Sequence, residues 1–330
     1  MPIGSQKAGL MGAAGGAGGA IGVFMGGHNA DTPSLATNII DYVNISNIGN
    51  ATDFGDMLGI FRNGKACSNG ETDRVLHGGG MRTSGASLNI IEYVTASSPG
   101  NATDFGDLTL ATRQFAATSN ASDDRGVFGG GYTGSGTTNV IGYVTISSAG
   151  NASDFGDATT QMQDNAATSN GTNERGIFMG GNRYIPPSGP PWGLNNTIDY
   201  ITINSAGNAT DFGDLSTNIS YPAGCSNQTN ERGIRCAGYD GSAQSNVIEY
   251  VTINSAGNAT DFGDIGTAVY GSSGTSNGTD ERGLCSVGGY PGGVNHNVIE
   301  YITINSTGNS SDFGDLTVAR ANLGAASNAG

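Results

Sequence analysis

Residues 246–264 read NVIEYVTINSAGNATDFGD, and this stretch decides the fold. Residues 247–253 are mostly β-branched or aromatic, the composition of a strand. Gly257, Asn258 and Asp261 then supply the Asx hydrogen bonds and positive φ of a turn. The Asp-Phe-Gly-Asp that follows returns throughout the chain, starting at Asp53, Asp104, Asp154, Asp211, Asp261 and Asp312, with steps of 51, 50, 57, 50 and 51 residues. A strand-bearing unit of that period cannot bury its own faces, so copies must stack on one another as a propeller or a solenoid.

Each unit holds four candidate strands. The first is a small-residue run such as AATSN at 166–170; the second follows an Arg-Gly pair, as in RGIFMGG at 175–181. The third is the strongest, at 39–45, 90–96, 140–146, 197–203, 247–253 and 298–304, and the fourth is a short segment around Phe-Gly-Asp. In the third strand Val247, Val251 and Ile253 alternate with Ile248 and Tyr250, so both faces need neighbours, as in radially packed blades. No segment keeps a helical period. The expectation is an all-β, six-bladed β-propeller of four-stranded antiparallel blades.

Residues 318–328 repeat the first-strand pattern after the sixth unit is complete, which predicts ring closure by pairing of a C-terminal strand with residues 22–27. The glycine-rich stretch 12–19 competes for the same slot, but interior glycines weaken strands. Residues 1–19 then form an N-terminal arm and 20–330 the propeller, with repeats at about 20–66, 67–118, 119–167, 168–224, 225–274 and 275–330. One tyrosine (Tyr42, Tyr93, Tyr143, Tyr200, Tyr250, Tyr301) and one phenylalanine per unit (Phe54, Phe105, Phe155, Phe212, Phe262, Phe313) are expected to fill the space between blades.

Composition narrows the function. A net charge of −15 with only two lysines opposes nucleic acid and anionic lipid as partners. No run of eighteen apolar residues spans a membrane, and the glycine-dominated N-terminus does not read as a secretory leader. Cys67, Cys225, Cys236 and Cys285 replace small or apolar residues of other repeats and read as reduced core thiols, with Cys225 and Cys236 facing across a hairpin as the alternative. His28, His77 and His296 occupy unrelated repeat positions, with neither metal-ligand spacing nor a catalytic order. No enzyme activity and no cofactor are expected. The Asp pair of each DFGD lacks the spacing of calcium loops and reads as structural, the aspartates capping backbone amides. Arg74, Arg125, Arg175, Arg232 and Arg282 recur as carboxylate partners, with Ile21 at that position in the first unit.

Phe178 with Gly180 and Gly181, then Tyr200, then Phe212, resembles the kelch repeat over about 310 residues, with phenylalanine where kelch units usually carry tryptophan. The fuller wording, YVTI through NATDFGDLTxAR and RGxFxGG, is similar to repeats of virion structural and tail-associated proteins of marine bacteriophages. That resemblance implies a component of a phage particle, made in the host cytoplasm and assembled into the virion, in which it contacts other virion proteins, a host surface glycan, or further copies of itself.

Turns of one face scarcely change between repeats, whereas loops of the other face vary and carry the candidate binding residues. These are Trp192 and Tyr184 in the proline-braced insertion 182–195, and Phe61, Phe115, Tyr221 and Tyr270 after the fourth strands. Exposed rings suit carbohydrate or protein docking; the competing reading makes Trp192 and Tyr184 cover for their own blade and the other four buried residues. Two functions follow: a tail- or fibre-associated virion protein that docks or attaches to a host, and a lectin-like adhesin binding host glycan through the variable face.

Overall fold

In the computed structural model the described residues are 19–31, 35–70, 73–120, 124–170, 175–183, 193–227, 231–278, 281–289 and 294–329. They form six four-stranded antiparallel sheets and one two-stranded hairpin, Asn182–Arg183 with Gly193–Leu194. The molecule is a six-bladed β-propeller. From the axis outwards, blade 1 is Gly324–Ser327, Ile21–Met25, Thr37–Asn44 and Thr52–Phe61, and blade 2 is Lys65–Cys67, Arg74–Gly78, Leu88–Thr95 and Thr103–Thr112. Blade 3 is Ala116–Asn120, Arg125–Gly129, Thr138–Thr145 and Ser153–Met162; blade 4 is Ala166–Ser169, Arg175–Met179, Thr197–Thr202 and Thr210–Asp214. Blade 5 is Ala223–Ser226, Arg232–Tyr239, Gln244–Thr252 and Thr260–Val269, and blade 6 is Ser273–Ser276, Arg282–Ser286, Val298–Thr303 and Ser311–Asp315. The innermost strands touch in a ring around the axis.

The last strand closes that ring. Gly324–Ser327 pairs with Ile21–Met25 (Gly22 with Ser327, Met25 with Gly324), so the final strand of the chain supplies the innermost strand of the first blade. The competing stretch 12–19 lies outside the described residues except for Gly19, as does all but the last residue of the expected arm 1–19. Repeat limits read from the sequence fall within or beside the innermost strands of blades 2 to 6. Outer strands also run longer than expected, to ten residues in Thr52–Phe61, Thr103–Thr112, Ser153–Met162 and Thr260–Val269.

The shared sequence is an interblade clasp. Backbone amides of Asp56, Asp107, Asp157, Asp214, Asp264 and Asp315 donate to the side-chain oxygens of Asn101, Asn151, Asn208, Asn258, Asn309 and Asn50 in the next blade, all at 3.0–3.1 Å. The glycine between the aspartates holds φ of 144–152°, and a Cβ on it would stand 2.4–2.5 Å from the carbonyl of the next blade's turn. Only glycine permits that approach. The aspartates themselves do not cap, contrary to expectation: Asp53, Asp104, Asp154, Asp211, Asp261 and Asp312 are exposed, and the capping oxygen belongs to the turn asparagine.

A register shift opposite each DFGD makes its phenylalanine the extra residue of a bulge, for example Phe54 between the pairs Ile40–Gly55 and Asp41–Asp53. The bulge turns the ring inward. All six phenylalanines are buried and meet the tyrosine of the third strand edge to face, at 5.7–6.3 Å and 74–81°. The recurrent arginine covers that tyrosine. Guanidinium carbons of Arg74, Arg125, Arg175, Arg232 and Arg282 lie 4.5–4.9 Å from the ring centroids, and each Nη1 donates to an isoleucine carbonyl of the following blade at 2.8–3.1 Å. These arginines serve a ring and a carbonyl, not the carboxylates expected from sequence.

A third clasp uses the acid of the third strand. Asp41, Glu92, Asp199, Glu249 and Glu300 accept from amides in or two residues past the outer strand of the preceding blade at 2.8–3.1 Å. The four cysteines are buried free thiols, and burial raises Cys67 to about 12. Ala223 pairs with Cys236 and Cys225 with Ile234, so Cys225 and Cys236 are diagonal neighbours in one hairpin.

Candidate functional site

Loops joining second to third strands and outer to next inner strands share one face. Here the chain beyond each outer strand makes an isolated bridge to the end of the next blade's second strand or the loop that follows it: Arg62 with Met81, Arg113 with Tyr132, Gln163 with Asn182, Ser220 with Tyr239, Tyr270 with Gly289, and Ala321 with His28. The residue after each bridge takes positive φ, from 53° to 70°, at Asn63, Gln114, Asp164, Tyr221, Gly271 and Asn322. That conformation points the six amides around the axis. Asn63 donates to Asn322, Asn322 to Gly271, Gly271 to Tyr221, Tyr221 to Asp164, Asp164 to Gln114 and Gln114 to Asn63, at 2.6–3.1 Å. The channel mouth on the loop face is therefore a closed hydrogen-bonded hoop that fixes the residues beside it.

Three consecutive bridges enclose a cleft of about 490 Å³ over blades 3 to 5, lined by Arg113, Gln114, Tyr132, Gln163, Asn182, Leu194, Ser220, Tyr221 and Tyr239. This falls in the range of about 300–1,000 Å³ typical of small-molecule sites. Tyr132 and Tyr239 flank Asn182 at equivalent places in neighbouring blades. Their hydroxyls are tied to the carbonyls of Gly134 (3.1 Å) and Gly241 (2.9 Å). Arg113 lies 4.7 Å from the centroid of Tyr132 and donates to the carbonyl of Gly85. Tyr270 stacks obliquely on Tyr221 and Tyr239, at 5.4 and 5.9 Å, joining three rings in one cluster.

Below the rings, Asp164 is 4 % exposed and accepts at one oxygen from Gln163 Nε2 (3.1 Å) and Asn182 Nδ2 (3.0 Å). Burial raises this carboxyl to about 6, against the pull of those two amides, of Tyr221 and of the Lys65 ammonium. The charge of Asp164, followed by burial, pushes the Tyr221 hydroxyl well above its ordinary range, and that hydroxyl accepts from Gln114 Nε2 at 3.2 Å. With their nitrogens spent on Asp164, Gln163 and Asn182 keep carbonyl oxygens that are buried and accept no hydrogen bond. Lys65, at the first place of an inner strand where other blades carry Ala, Ser or Gly, enters the axial channel, its Nζ 3.5 Å from Ser273 Oγ. Burial lowers its ammonium to about 8, opposed by Asp164.

The sequence candidates scatter across this geometry. Phe61 is the last outer-strand residue and 3 % exposed; Phe115 precedes an inner strand, is 1 % exposed and packs edge to face on Phe128 at 6.0 Å. Both rings belong to blade interiors and offer no surface to a ligand. Tyr221 lines the cleft and Tyr270 backs it. Trp192 and Tyr184 lie outside the described residues. Arg113, Gln163, Asn182, Tyr132 and Tyr239 are not among the sequence candidates. Their signal was present in the chain: Tyr132, Asn182 and Tyr239 each follow a glycine that ends the second strand, and Arg113 and Gln163 stand just before the hoop residue.

No family model matches this chain, and no curated protein matches it.

Proposed function

We propose that the protein is a non-enzymatic attachment module that binds carbohydrate through the loop-face cleft. The observation that carries this reading is the cleft's chemistry: three fixed tyrosine rings beside two buried amide oxygens that lack donors. Flat aromatic faces suit the C–H faces of sugar rings, and orphaned acceptors favour a ligand rich in hydroxyl donors. Asp164 is committed to internal hydrogen bonds, which suits a binding floor more than proton transfer. The setting proposed for this module is the one its repeat wording resembles, a kelch-like propeller in a phage virion at the tail or fibre, where it would meet a host surface glycan.

The test is binding of the full chain to a panel of immobilised glycans, with Tyr132→Ala and Tyr239→Ala combined. At least one glycan should bind, and the double variant should lose tenfold or more in affinity while keeping its melting profile. A chain that binds nothing on the panel, or a variant that binds as well as the parent, would sink the proposal.

A further inference from the structure

The loop face has a charge opposite to that of the whole molecule. Of the basic residues, Arg74, Arg125, Arg175, Arg232 and Arg282 are spent between blades, while Arg235 and Arg320 pair inside them with Glu249 and Asp41. Of the remaining described ones, Arg62, Arg82, Arg113 and Arg183 lie on the loop face, and Lys65 is buried in the axial channel, where Asp164 opposes it. Only Asp31 and Asp240 oppose the four arginines there among the described residues, since Asp164 is buried beneath its own hydrogen bonds with Lys65 for its counter-charge. The twelve aspartates of the DFGD motifs begin the outer strands at the opposite end. A ten-residue strand spans about 33 Å, roughly four Debye lengths at physiological salt, so that acidic belt is screened from the cleft.

Arg113 gives this local field a direction. Its plane is fixed by the ring of Tyr132 and by the carbonyl of Gly85, and it lines the cleft beside Gln163 and Asn182. Arg62 stands near enough for the charge of Arg113 to lower its own ionisation, after burial, so two guanidinium groups share this side of the mouth. A planar guanidinium held in one orientation matches a carboxylate with two parallel hydrogen bonds.

We propose that the ligand is an acidic glycan, a saccharide bearing a carboxylate that Arg113 receives, with a sugar ring against Tyr239 and hydroxyls donated to Gln163 and Asn182. This rests on the carbohydrate reading above and adds the ligand's charge. The experiment titrates the full chain with polygalacturonate, alginate, hyaluronan and polysialic acid oligomers, each beside its methyl-esterified form, at 50 and 500 mM NaCl (about 14 and 4 Å of Debye length). At least one acid oligomer should bind, its ester tenfold or more weaker, with affinity falling at high salt. Arg113→Gln, which installs the residue found at the equivalent place one blade further on, should erase the difference between acid and ester. Equal binding of both forms, an Arg113→Gln variant that keeps the preference, or binding only of neutral glycans would overturn the acidic assignment while leaving the carbohydrate reading intact. Binding of none of these oligomers, acid or ester, would likewise overturn the acidic assignment, and the glycan panel above decides the carbohydrate reading separately. Should Arg113→Gln fail to fold, the ester and salt comparisons on the parent chain decide alone.

Discussion

Replacing Arg125 with isoleucine, the residue blade 1 uses at the equivalent Ile21, should remove one interblade tie and leave the blade's strands intact. Two contacts disappear: the hydrogen bond from Nη1 to the Ile203 carbonyl (2.8 Å) and the stack on Tyr143 (4.6 Å). A hydrogen bond from a charged donor contributes about 1.5–3 kcal/mol, and a half-exposed cation–π contact about 0.5–1 kcal/mol. The expected loss is therefore roughly 2–4 kcal/mol, read as a lower urea midpoint at unchanged slope. Asp53→Asn, at an exposed carboxylate outside any clasp, should move the midpoint by less than about 0.5 kcal/mol. Combining Arg125→Ile with Tyr143→Leu should cost less than the two changes summed, because they share one contact. A loss below about 0.5 kcal/mol for Arg125→Ile, or strict additivity with Tyr143→Leu, would refute the assignment of the recurrent arginine to interblade cohesion.

Gly106→Ala should destabilise by about 2 kcal/mol or more, since its φ of 152° and a Cβ 2.4 Å from the Gly150 carbonyl leave no room. Gly150→Ala, with open space around its Cβ, should be nearly silent in the same thermal melt. Asn151→Ala should cost about 1 kcal/mol by removing the acceptor for the Asp107 amide, measured by urea unfolding beside the exposed Ser148→Ala as a neutral control. Glu92 is held at about 7 chiefly by burial, so the folded chain binds this proton more tightly than the unfolded chain does. Its contribution should fall as pH rises from about 4.5 to 7, by on the order of 3 kcal/mol, and Glu92→Gln should flatten that slope; an unchanged slope would show that another group sets it.

Much of the architecture was legible because the repeated words are the clasps themselves. Asn, Gly and Phe of GNATDFGD recur since the next blade's backbone, the glycine's φ and the bulged ring each allow few substitutes. The third strand was readable because both of its faces are buried. The outer strands run past their sequence signal because residues after DFGD, such as Leu58 and Ile60, are exposed on the rim and differ between repeats. The Asp caps and Arg–carboxylate pairs failed because sequence shows which residues recur but not which backbone atoms they reach.

The site was legible as a face and not as residues. The aromatics chosen from the variable loops come from four different register positions: Phe61 ends a strand, Tyr270 is a bridge, Tyr221 is a hoop residue and Phe115 follows one. Only the middle two reach the mouth. Registering every loop on the residue after the second-strand glycine would have aligned His28, Met81, Tyr132, Asn182, Tyr239 and Gly289, and shown that polar and aromatic side chains gather on blades 3 to 5.

Closure of the ring by the last strand underlies the hoop, the clasps and the cleft, and one cross-link tests it. Val23 and Ala326 are paired across the junction of the two termini and both are buried, so cysteines placed at both should join as an intramolecular disulfide in the monomer when the reduced, unfolded chain is refolded in an oxidising thiol buffer, identified by mass spectrometry of the joined peptides. Recovery of only intermolecular dimers, or of two free thiols after that oxidative refolding, would contradict a ring sealed by residues 324–327.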